Sequence, residues 1–173
     1  MGEHEFLPLD VRSVNVKQFD CGKSSINTYL RRYAAKNMAL NLNRTFVLLN
    51  PDTQASAKQR IAAYYTLAHQ TVARADTPVH HRLPRYPVPV ILLAQLAVDL
   101  NFHGRGLGAK TLIHALRHAF RISTTPNGIP SAGVALDVLD QDALEYYSHF
   151  DFFAPMVDKP MKLFVPMESL ESL

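Results

Sequence analysis

Three glycines at positions 104, 106 and 108 form the stretch of this chain with the clearest capacity for chemistry. An apolar run over residues 88–98 precedes them, and an amphipathic segment follows over residues 109–121. This order predicts a strand, a glycine-rich loop and a helix. Glycines let a backbone approach a ligand closely, and a helix start adds unpaired N–H groups and the positive end of the helix dipole. The stretch therefore predicts an anion site that suits the pyrophosphate of a phosphorylated cofactor.

The spacing of these glycines excludes two common nucleotide-binding loops. The dinucleotide fingerprint G-x-G-x-x-G needs a different spacing and an acidic residue about 20 residues later, after a second strand. The glycines here alternate as G-x-G-x-G, and no acid follows a strand at that distance. The phosphate loop G-x-x-x-x-G-K-[ST] is also absent, because the leading glycine is missing and Ala109 separates Gly108 from Lys110.

Tyr146 and Tyr147 are the residues that could supply a proton to a leaving group. They adjoin on a short predicted helix over residues 143–150, with Asp142 as its expected N-cap. A tyrosine with an unperturbed pKa of about 10 stays protonated at neutral pH and can act as a general acid. One of two neighbouring tyrosines usually packs in the core, so the residues alone leave the choice between them open.

The histidines and the single cysteine give weaker signals. His114 and His118 lie four residues apart on one predicted helix, a spacing that could chelate a metal, but no third ligand is evident. A solvated helix face and no metal site are therefore expected. Cys21 precedes a predicted helix start, where a thiol pKa can be lowered, yet no histidine accompanies it as a base. We expect a buried structural cysteine.

Length and composition predict one ordinary globular domain over residues 1–173. Hydrophobic residues make up 47% of the chain and charged residues 19%, which is typical of soluble proteins that bury a core without disulfides or structural metals. A single cysteine excludes an internal disulfide framework and fits a reducing cytoplasm. The acidic start lacks the pattern of a signal peptide, and no apolar run is long enough to span a membrane.

The charges are unevenly distributed along the chain. Residues 1–136 hold 16 Lys and Arg against 7 Asp and Glu, a balance of +9, whereas residues 137–173 hold 2 against 8, a balance of −6. Such segregation predicts a basic face that could meet a polyanion, and a separate acidic region. The alternative is that the fold mixes the two halves and leaves no patch.

The elements that must position these residues alternate between strands and helices. Helical periodicity places one apolar face on Ile26, Tyr29, Leu30, Tyr33, Ala34 and Met38. Strands are predicted over residues 6–17, 44–50, 61–73, 88–98, 134–139, 152–153 and 161–165, and helices after the first, fourth and fifth of them. The order βα–ββ–βα–βα–ββ predicts an α/β fold with a mixed sheet and helices on both faces. Residues 74–87, with three prolines and several basic side chains, are expected to form an exposed loop.

The glycine loop resembles the acyl-CoA loop R/Q-x-x-G-x-G/A of the GNAT acetyltransferases. The pattern covers residues 103–108, with His103 where Arg or Gln is usual. Several further segments resemble one branch of that superfamily, in the right order and over nearly the whole chain: residues 19–22, 44–47, 63–68, 84–89, 96–99, 147–150 and 162–167. The branch is the acetyltransferase toxins of bacterial toxin–antitoxin modules.

The resemblance implies a fold, an activity and partners. The fold would be the GNAT fold, whose mostly antiparallel central sheet is splayed in the middle. The activity would be transfer of acetyl from acetyl-CoA to the α-amino group of aminoacyl-tRNA, which blocks translation. A ribbon-helix-helix antitoxin and a homodimer are implied as partners. The alternatives are an N-acetyltransferase of small-molecule or protein amines, and a catalytically silent module that binds CoA or an antitoxin.

The resemblance also assigns roles to residues. The backbone of Leu96, Ala97 and Val98 would pair with the pantetheine arm of the cofactor. Where two strands splay apart, their backbone N–H and C=O groups lose their partners in the sheet and are free to bind a ligand. Tyr147 would be the general acid, from the family pattern F-Y-x-x-F, and Tyr146 a core residue. Backbone amides would hold the pyrophosphate at His103, Gly104, Arg105, Gly106, Leu107, Gly108 and Ala109. Phosphates of the RNA would meet Lys36, Arg44, Arg74, Arg82 and Arg85.

Three further positions depart from the pattern of this branch. Gln95 stands where the branch has Arg, Tyr146 replaces Phe, and Asp151 replaces Gly. None removes the tyrosine assigned to chemistry, so these departures bear on substrate preference. No general base stands out. An α-amino group has a pKa near 8 and is partly neutral at physiological pH, so it depends less on a base than a lysine side chain, whose pKa is about 10.4.

Overall fold

The computed structural model describes residues 5–51 and 58–173. Its strands are β1 (Phe6–Pro8), β2 (Asn43–Leu49), β3 (Ile61–Val72), β4 (Val88–Val98), β5 (Gly133–Asp137), β6 (Ala154–Met156) and β7 (Lys159–Pro166). Its α-helices are α1 (Ser24–Thr28), α2 (Ala34–Ala39), α3 (Leu107–Thr124) and α4 (Gln141–Ser148). A π-helical turn, Tyr29–Tyr33, joins α1 to α2, and short 3₁₀ turns occupy Arg74–Asp76, His80–Arg82, Leu100–Phe102 and Met167–Leu170.

The strands form one mixed, mostly antiparallel sheet in the order β1-β2-β3-β4-β5-β7-β6. The β4–β5 pair is parallel, as expected for strands joined by a helical crossover through α3, and β1–β2, β5–β7 and β6–β7 are antiparallel. The β4–β5 register joins Ile91 and Leu92 to Val134 and Ala135, while β4 itself continues to Val98. The second half of β4 therefore lies outside its pairing with β5, as expected for two strands that splay apart.

The chain divides into two compact units. Unit 1 comprises Met1–Leu67 and Gln95–Ile113, and unit 2 comprises Ala68–Ala94 and His114–Leu173. The glycine loop belongs to unit 1 and Tyr147 to unit 2.

The core of unit 1 forms between the first helices and the strands β2 and β3. Phe19 and Tyr64 are almost wholly buried, with their rings edge to face and their centroids 5.3 Å apart. The Tyr64 hydroxyl donates to the carbonyl of Ile26 at 2.8 Å, which satisfies a polar group that burial would otherwise penalise. Leu30 and Ala34 face this core as predicted, but Tyr33 is 51% exposed. The π-helical turn explains the difference, since i→i+5 hydrogen bonding shifts the faces of the helix.

The core of unit 2 is built on the buried residues of β5 and β7. Val134, Ala135 and Leu136 are at most 2% exposed, and Phe164 is fully buried, which explains why β5 reads as an uninterrupted apolar run. The helix α4 begins at Gln141, with Asp140 as its N-cap, and not after Asp142 as the sequence predicts. Asp140 is extended, and its carboxylate accepts from the N–H of Ala143 at 2.9 Å, which is the N-cap bond.

None of the helices in the described residues is long and apolar enough to cross a membrane.

Candidate active site

Asp99 fixes the point at which β4 ends and the glycine-rich segment begins. Its side chain is buried, and its carboxylate accepts from the backbone N–H of Asn101 at 3.0 Å and from the Asn101 amide at 2.8 Å. A third bond comes from the N–H of Asp20 at 3.1 Å. These contacts satisfy a buried charge and cap the 3₁₀ turn that leads into the loop.

The end of β4 exposes backbone groups away from β3. The N–H of Asp99 donates to the carbonyl of Ala62 on β3 at 2.9 Å. Because a trans peptide points its N–H and C=O in opposite directions, the Val98 carbonyl lies on the side away from β3. By the alternation of a strand, Leu96 presents its backbone groups on that same side, and Ala97 faces β3. Two of the three residues predicted to pair with a pantetheine arm therefore have their groups on the side away from β3.

His103 joins the loop back to the strand. Its Nε2 lies 2.7 Å from the Val98 carbonyl oxygen, and since that oxygen can only accept, Nε2 carries the proton. Its backbone N–H donates to the carbonyl of Leu100 at 3.3 Å. The residue that replaces the usual Arg or Gln of the pattern thus closes the turn between strand and loop with its side chain.

The loop glycines are required by backbone conformation. Gly104 and Gly106 have φ angles of 74° and 72°, in the left-handed region that other residues adopt only with strain. A Cβ atom at either position would meet no atom within 4 Å, so crowding plays no part. Left-handed residues that alternate with residues of negative φ, as Gly104 and Gly106 do around Arg105, turn neighbouring N–H groups into an anion-binding concavity. Two of the three glycines of the pattern therefore shape the loop itself, and Gly108 lies within α3.

The start of α3 supplies further donors. The N–H of Lys110 donates to the carbonyl of Gly106 at 3.2 Å, so the three preceding helical residues, Leu107, Gly108 and Ala109, have no acceptor within the helix. The guanidinium of Arg105 lies 5.5 Å above the Phe102 ring, which places a positive charge beside the loop. Residues 104–109 therefore form a cationic, donor-rich segment within unit 1. The His103 amide, also predicted to hold the pyrophosphate, already donates to the Leu100 carbonyl.

Tyr147 packs on α4 within an aromatic cluster of unit 2. Its ring centroid lies 5.4 Å from that of Tyr146 and 5.9 Å from that of Phe153, both in edge-to-face geometry. Burial, with a smaller contribution from Tyr146, raises the pKa of the Tyr147 hydroxyl above its usual value. The phenol therefore stays neutral and available as a proton donor throughout the physiological pH range. Tyr146 is 38% exposed and meets Phe150 edge to face at 5.5 Å, so its predicted core position is wrong.

The five basic side chains predicted to meet RNA have different surroundings. In unit 1, Lys36 is exposed and Arg44 approaches the Asn41 amide oxygen at 3.4 Å. In unit 2, Arg74 donates through Nε to the Leu83 carbonyl at 2.7 Å, and Arg82 pairs with Glu168 at 2.6 Å. Arg85 is exposed. Arg74 therefore serves the structure of its own loop, whereas the Arg82 pair, exposed on both sides, can open at little free-energy cost.

Comparison with known proteins decides the family. Over 162 residues the chain is 35% identical to a curated tRNA-acetylating toxin of Mycobacterium tuberculosis, a match that covers 92% of this chain and 90% of that protein. The chain belongs to the tRNA-acetylating toxin family. The resemblance inferred from the sequence is thereby confirmed. No family model matches the chain.

Solved structures confirm the fold of this toxin-family member. AtaT in complex with acetyl-methionyl-tRNAfMet superposes with a TM-score of 0.83 at 23% identity, over 97% of each chain. A tyrosine-to-phenylalanine mutant of AtaT, bound to the C-terminus of the antitoxin AtaR and to acetyl-CoA, superposes with a TM-score of 0.78 at 21% identity, over 99% of this chain and 98% of that one. The predicted GNAT architecture with its mixed sheet is therefore the fold of this member of the family.

The remaining sequence candidates are structural in this toxin-family chain. Cys21 is buried, its backbone N–H donates to the Asn27 side chain at 2.9 Å, and burial raises the pKa of its thiol, as expected for a structural cysteine. His114 and His118 are partly buried and so do not form the expected solvated face. Burial lowers the pKa of His118 to about 4, with contributions from Arg121 and His114. Within residues 5–51 and 58–173, no group of three His, Cys, Asp or Glu side chains could hold a metal ion.

The sequence interpretation missed the polar anchor of the loop. Asp20, Asn27 and Asp99 link the segment before α1 to the end of β4, because the Asp20 carbonyl also accepts from the N–H of Leu100 at 2.8 Å. Hydrogen bonds from the Gly22 N–H and the Asn27 amide lower the pKa of Asp20. A signal was present in the sequence, since an Asp that directly follows a strand and precedes Leu-Asn is typical of a side-chain-capped turn.

Proposed function

We propose that this chain is the toxin of a type II toxin–antitoxin pair, and that it transfers the acetyl group of acetyl-CoA to the α-amino group of an aminoacyl-tRNA and so stops translation. The observation that carries the proposal is the 35% identity to the curated tRNA-acetylating toxin, over nearly the full length of both chains. The activity is that of an acetyl-CoA-dependent acyltransferase. We propose that residues 1–173 act as a single GNAT domain.

Acetyl-CoA fits the donor-rich segment of unit 1. Its pyrophosphate carries the negative charge that the N–H groups of residues 104–109 and the Arg105 side chain would bind, whereas the His103 N–H is already bonded to the Leu100 carbonyl. Its pantetheine arm carries amides, which suit the backbone groups that Leu96 and Val98 present away from β3. The Val98 carbonyl already accepts from His103, and its second lone pair remains for a ligand N–H.

The reaction needs one proton donor. The amine nitrogen attacks the thioester carbonyl carbon, the C–N bond forms and the C–S bond breaks. The sulfur leaves with the electron pair of that bond and takes a proton from the Tyr147 hydroxyl, while the nitrogen releases a proton to water. Water then reprotonates Tyr147. A neutral, partly buried phenol suits this role, because it stays protonated at physiological pH and its hydroxyl can donate to the sulfur as the C–S bond breaks.

An α-amino acceptor is consistent with the lack of an evident general base. Free α-amino groups have pKa values near 7.7–8.0, so a sizeable fraction is neutral at physiological pH. A lysine side chain at about 10.4 would need a base to become nucleophilic. The titratable residues here supply a proton donor, and their chemistry favours an acceptor that is already deprotonated.

The partners follow from the same family membership. We propose a ribbon-helix-helix antitoxin, a homodimer and a cytoplasmic location. AtaT has been solved with its antitoxin AtaR, which supports a proteinaceous partner of this kind. Light scattering of the purified toxin checks the homodimer, which a molecular mass near 19.4 kDa would contradict.

The decisive experiment uses radiolabelled acetyl-CoA with total charged tRNA. We expect label in the RNA fraction, which mild alkaline hydrolysis releases as an N-acetyl amino acid identified by mass spectrometry. Deacylated tRNA is the matched control and should take up no label. Transfer to free amines, peptides or polyamines without tRNA would support the alternative of a small-molecule or protein acetyltransferase. Cofactor binding without transfer to any amine would indicate a silent module.

A further inference from the structure

The loop between β3 and β4 has a base held by internal hydrogen bonds. Arg74 at its start donates to the Leu83 carbonyl near its end at 2.7 Å. Thr77 is fully buried and donates from its hydroxyl to the Arg74 carbonyl at 2.8 Å. Val79 and Leu83 pack against the core of unit 2. The loop therefore has a fixed base, although it contains no long helix or strand.

The tip of this loop is a tight turn between two prolines. The N–H of Tyr86 donates to the carbonyl of Pro84 at 3.0 Å, which closes a three-residue turn centred on Arg85. Pro84 and Pro87 on either side fix their own φ angles and restrict the residue before each of them. The backbone that carries Arg85 and Tyr86 is therefore rigid, so these side chains could bind a ligand with little loss of backbone entropy.

Tyr86 is the most exposed tyrosine among the described residues, with 64% of its surface accessible. A single exposed apolar side chain is ordinary on a protein surface. Here, however, a large aromatic ring projects from a rigid turn, next to an exposed cation. Such a ring offers a flat apolar face to a partner at low entropic cost.

The charge around the turn is positive. Arg85 forms no ion pair or side-chain hydrogen bond with any residue of the described segments. Arg82 has Glu168 as its partner, and Asp76, the one carboxylate of residues 73–87, pairs with Lys159. The uncompensated cation of the loop tip is thus Arg85, immediately beside the exposed ring.

We propose that Arg85 and Tyr86 bind the single-stranded 3′ end of the tRNA, with the Tyr86 ring stacked on an unpaired base and Arg85 on a neighbouring phosphate. An unpaired base has a free face on which an aromatic ring can stack, whereas bases inside an A-form helix are closed to side chains in the deep major groove. The aminoacyl group is attached to the same 3′ end, so this contact would position the acceptor. The inference rests on the proposed function, because it takes tRNA as the substrate.

The test compares Tyr86→Ala with Tyr86→Phe, which keeps the ring and loses only the hydroxyl. Binding is measured by fluorescence anisotropy on two RNAs, an intact deacylated tRNA and the same tRNA without its unpaired 3′ nucleotides. We expect Tyr86→Ala to weaken binding of the intact tRNA about 5- to 100-fold, and Tyr86→Phe to retain it. On the truncated tRNA, all three proteins should bind equally weakly. Acetyl-CoA affinity should be the same in all three, which shows that the variants fold.

Each other outcome overturns the inference in a recognisable way. Equal binding of intact tRNA by wild type and Tyr86→Ala, with normal acetylation, would reject the stacking contact and leave the proposed function in place. An equal loss on both RNAs would place Tyr86 away from the 3′ end. Loss of antitoxin binding with unchanged RNA binding would assign the turn to a protein partner. If the wild type neither binds nor acetylates tRNA, the proposed function itself fails, and this contact with it.

Discussion

His103 shows how a substitution within a family pattern can change a residue's task. The usual Arg or Gln is long enough to reach outward, whereas the imidazole of His103 folds back onto the Val98 carbonyl at 2.7 Å. The bond joins the last residue of β4 to the first residue of the glycine loop. His103 is therefore expected to hold the loop in its binding shape, and a charge on its ring is not needed for that task.

Replacing His103 tests this positioning role. A neutral hydrogen bond contributes about 0.5–1.5 kcal/mol, so His103→Ala should weaken acetyl-CoA binding about 2- to 10-fold, with kcat at saturation nearly unchanged. His103→Gln is the matched control, because its amide can donate to the same carbonyl and should retain most of the affinity. Isothermal titration with acetyl-CoA alone measures the effect without any acceptor. Equal affinity of His103→Ala and wild type would contradict the role.

Tyr147 carries the proton-donor prediction. Tyr147→Phe removes the hydroxyl and keeps the ring contacts with Tyr146 and Phe153. We expect kcat on charged tRNA to fall about 10²- to 10⁴-fold, the usual contribution of general acid–base catalysis, with acetyl-CoA affinity unchanged. Tyr146→Phe, on the exposed neighbour, is the control and should stay within a few-fold of wild type. Near-normal turnover by Tyr147→Phe would reject the assignment.

The glycine loop, as an element, depends on two backbone conformations. Gly104→Ala and Gly106→Ala place a Cβ on a left-handed residue, which costs roughly 1–2 kcal/mol in strain or forces the loop to change shape. If the free loop relaxes to avoid this strain, it must return to the left-handed shape on binding, and acetyl-CoA affinity should fall about tenfold. Gly108→Ala lies within α3, where alanine favours the helix and the family pattern permits it, and should bind normally. The same loss in all three variants would show that the ligand must approach the backbone closely at every glycine, and that this matters more than the left-handed φ angles.

Helix α3 gives a prediction about the pH dependence of stability. Burial lowers the pKa of His118 to about 4 in the folded state, against about 6.5 in an unfolded chain. Between these values the unfolded chain binds more protons, so the free energy of unfolding falls as pH drops below 6.5. The ring is only partly buried and solvent screens it, so a loss of about 1 kcal/mol is expected between pH 7 and pH 5.

Urea unfolding of wild type and His118→Gln at the two pH values isolates this contribution. His118→Gln removes the titrating group, so its stability should change less with pH than that of the wild type. Parallel pH profiles for the two proteins would show that other groups cause the dependence.

The elements show which features a sequence can predict and which it cannot. Gly104 and Gly106 were identifiable because the left-handed conformation admits few other residues. The extent of α3 was predicted within three residues at each end, since its apolar periodicity is strong. The exposure of Tyr33 was not predicted, because the π-helical turn interrupts the helical periodicity and no residue pattern in the sequence indicates that turn. The His103–Val98 bond depends on the path of the folded loop, which no local pattern encodes.

At the scale of the whole molecule, the basic surplus belongs to unit 1. That unit carries 11 Lys and Arg residues against 6 Asp and Glu, whereas unit 2 carries 7 against 9. The boundary differs from the division at residue 136 in the sequence, because residues 114–136 fold within unit 2. Residues 21–51 contain no carboxylate and hold five cations: Lys23, Arg31, Arg32, Lys36 and Arg44. These cations would attract a polyanionic substrate.

Salt dependence tests whether this charge binds the RNA backbone. Removing one cation that binds a phosphate reduces the slope of log affinity against log salt concentration by about 0.7–0.9. The double variant Lys36→Gln, Arg44→Gln should therefore have a slope for tRNA binding that is lower by about 1.4–1.8, with acetyl-CoA affinity unchanged. Arg12→Gln is the matched control, since Arg12 is an exposed cation of unit 1 already paired with Asp10 at 3.1 Å, and it should keep the wild-type slope. Equal slopes in wild type and the double variant would remove Lys36 and Arg44 from the RNA interface, even if tRNA is the substrate. If the tRNA affinity of the wild type did not change with salt, phosphate binding would be excluded as its source. Stacking on unpaired bases would then have to supply the affinity.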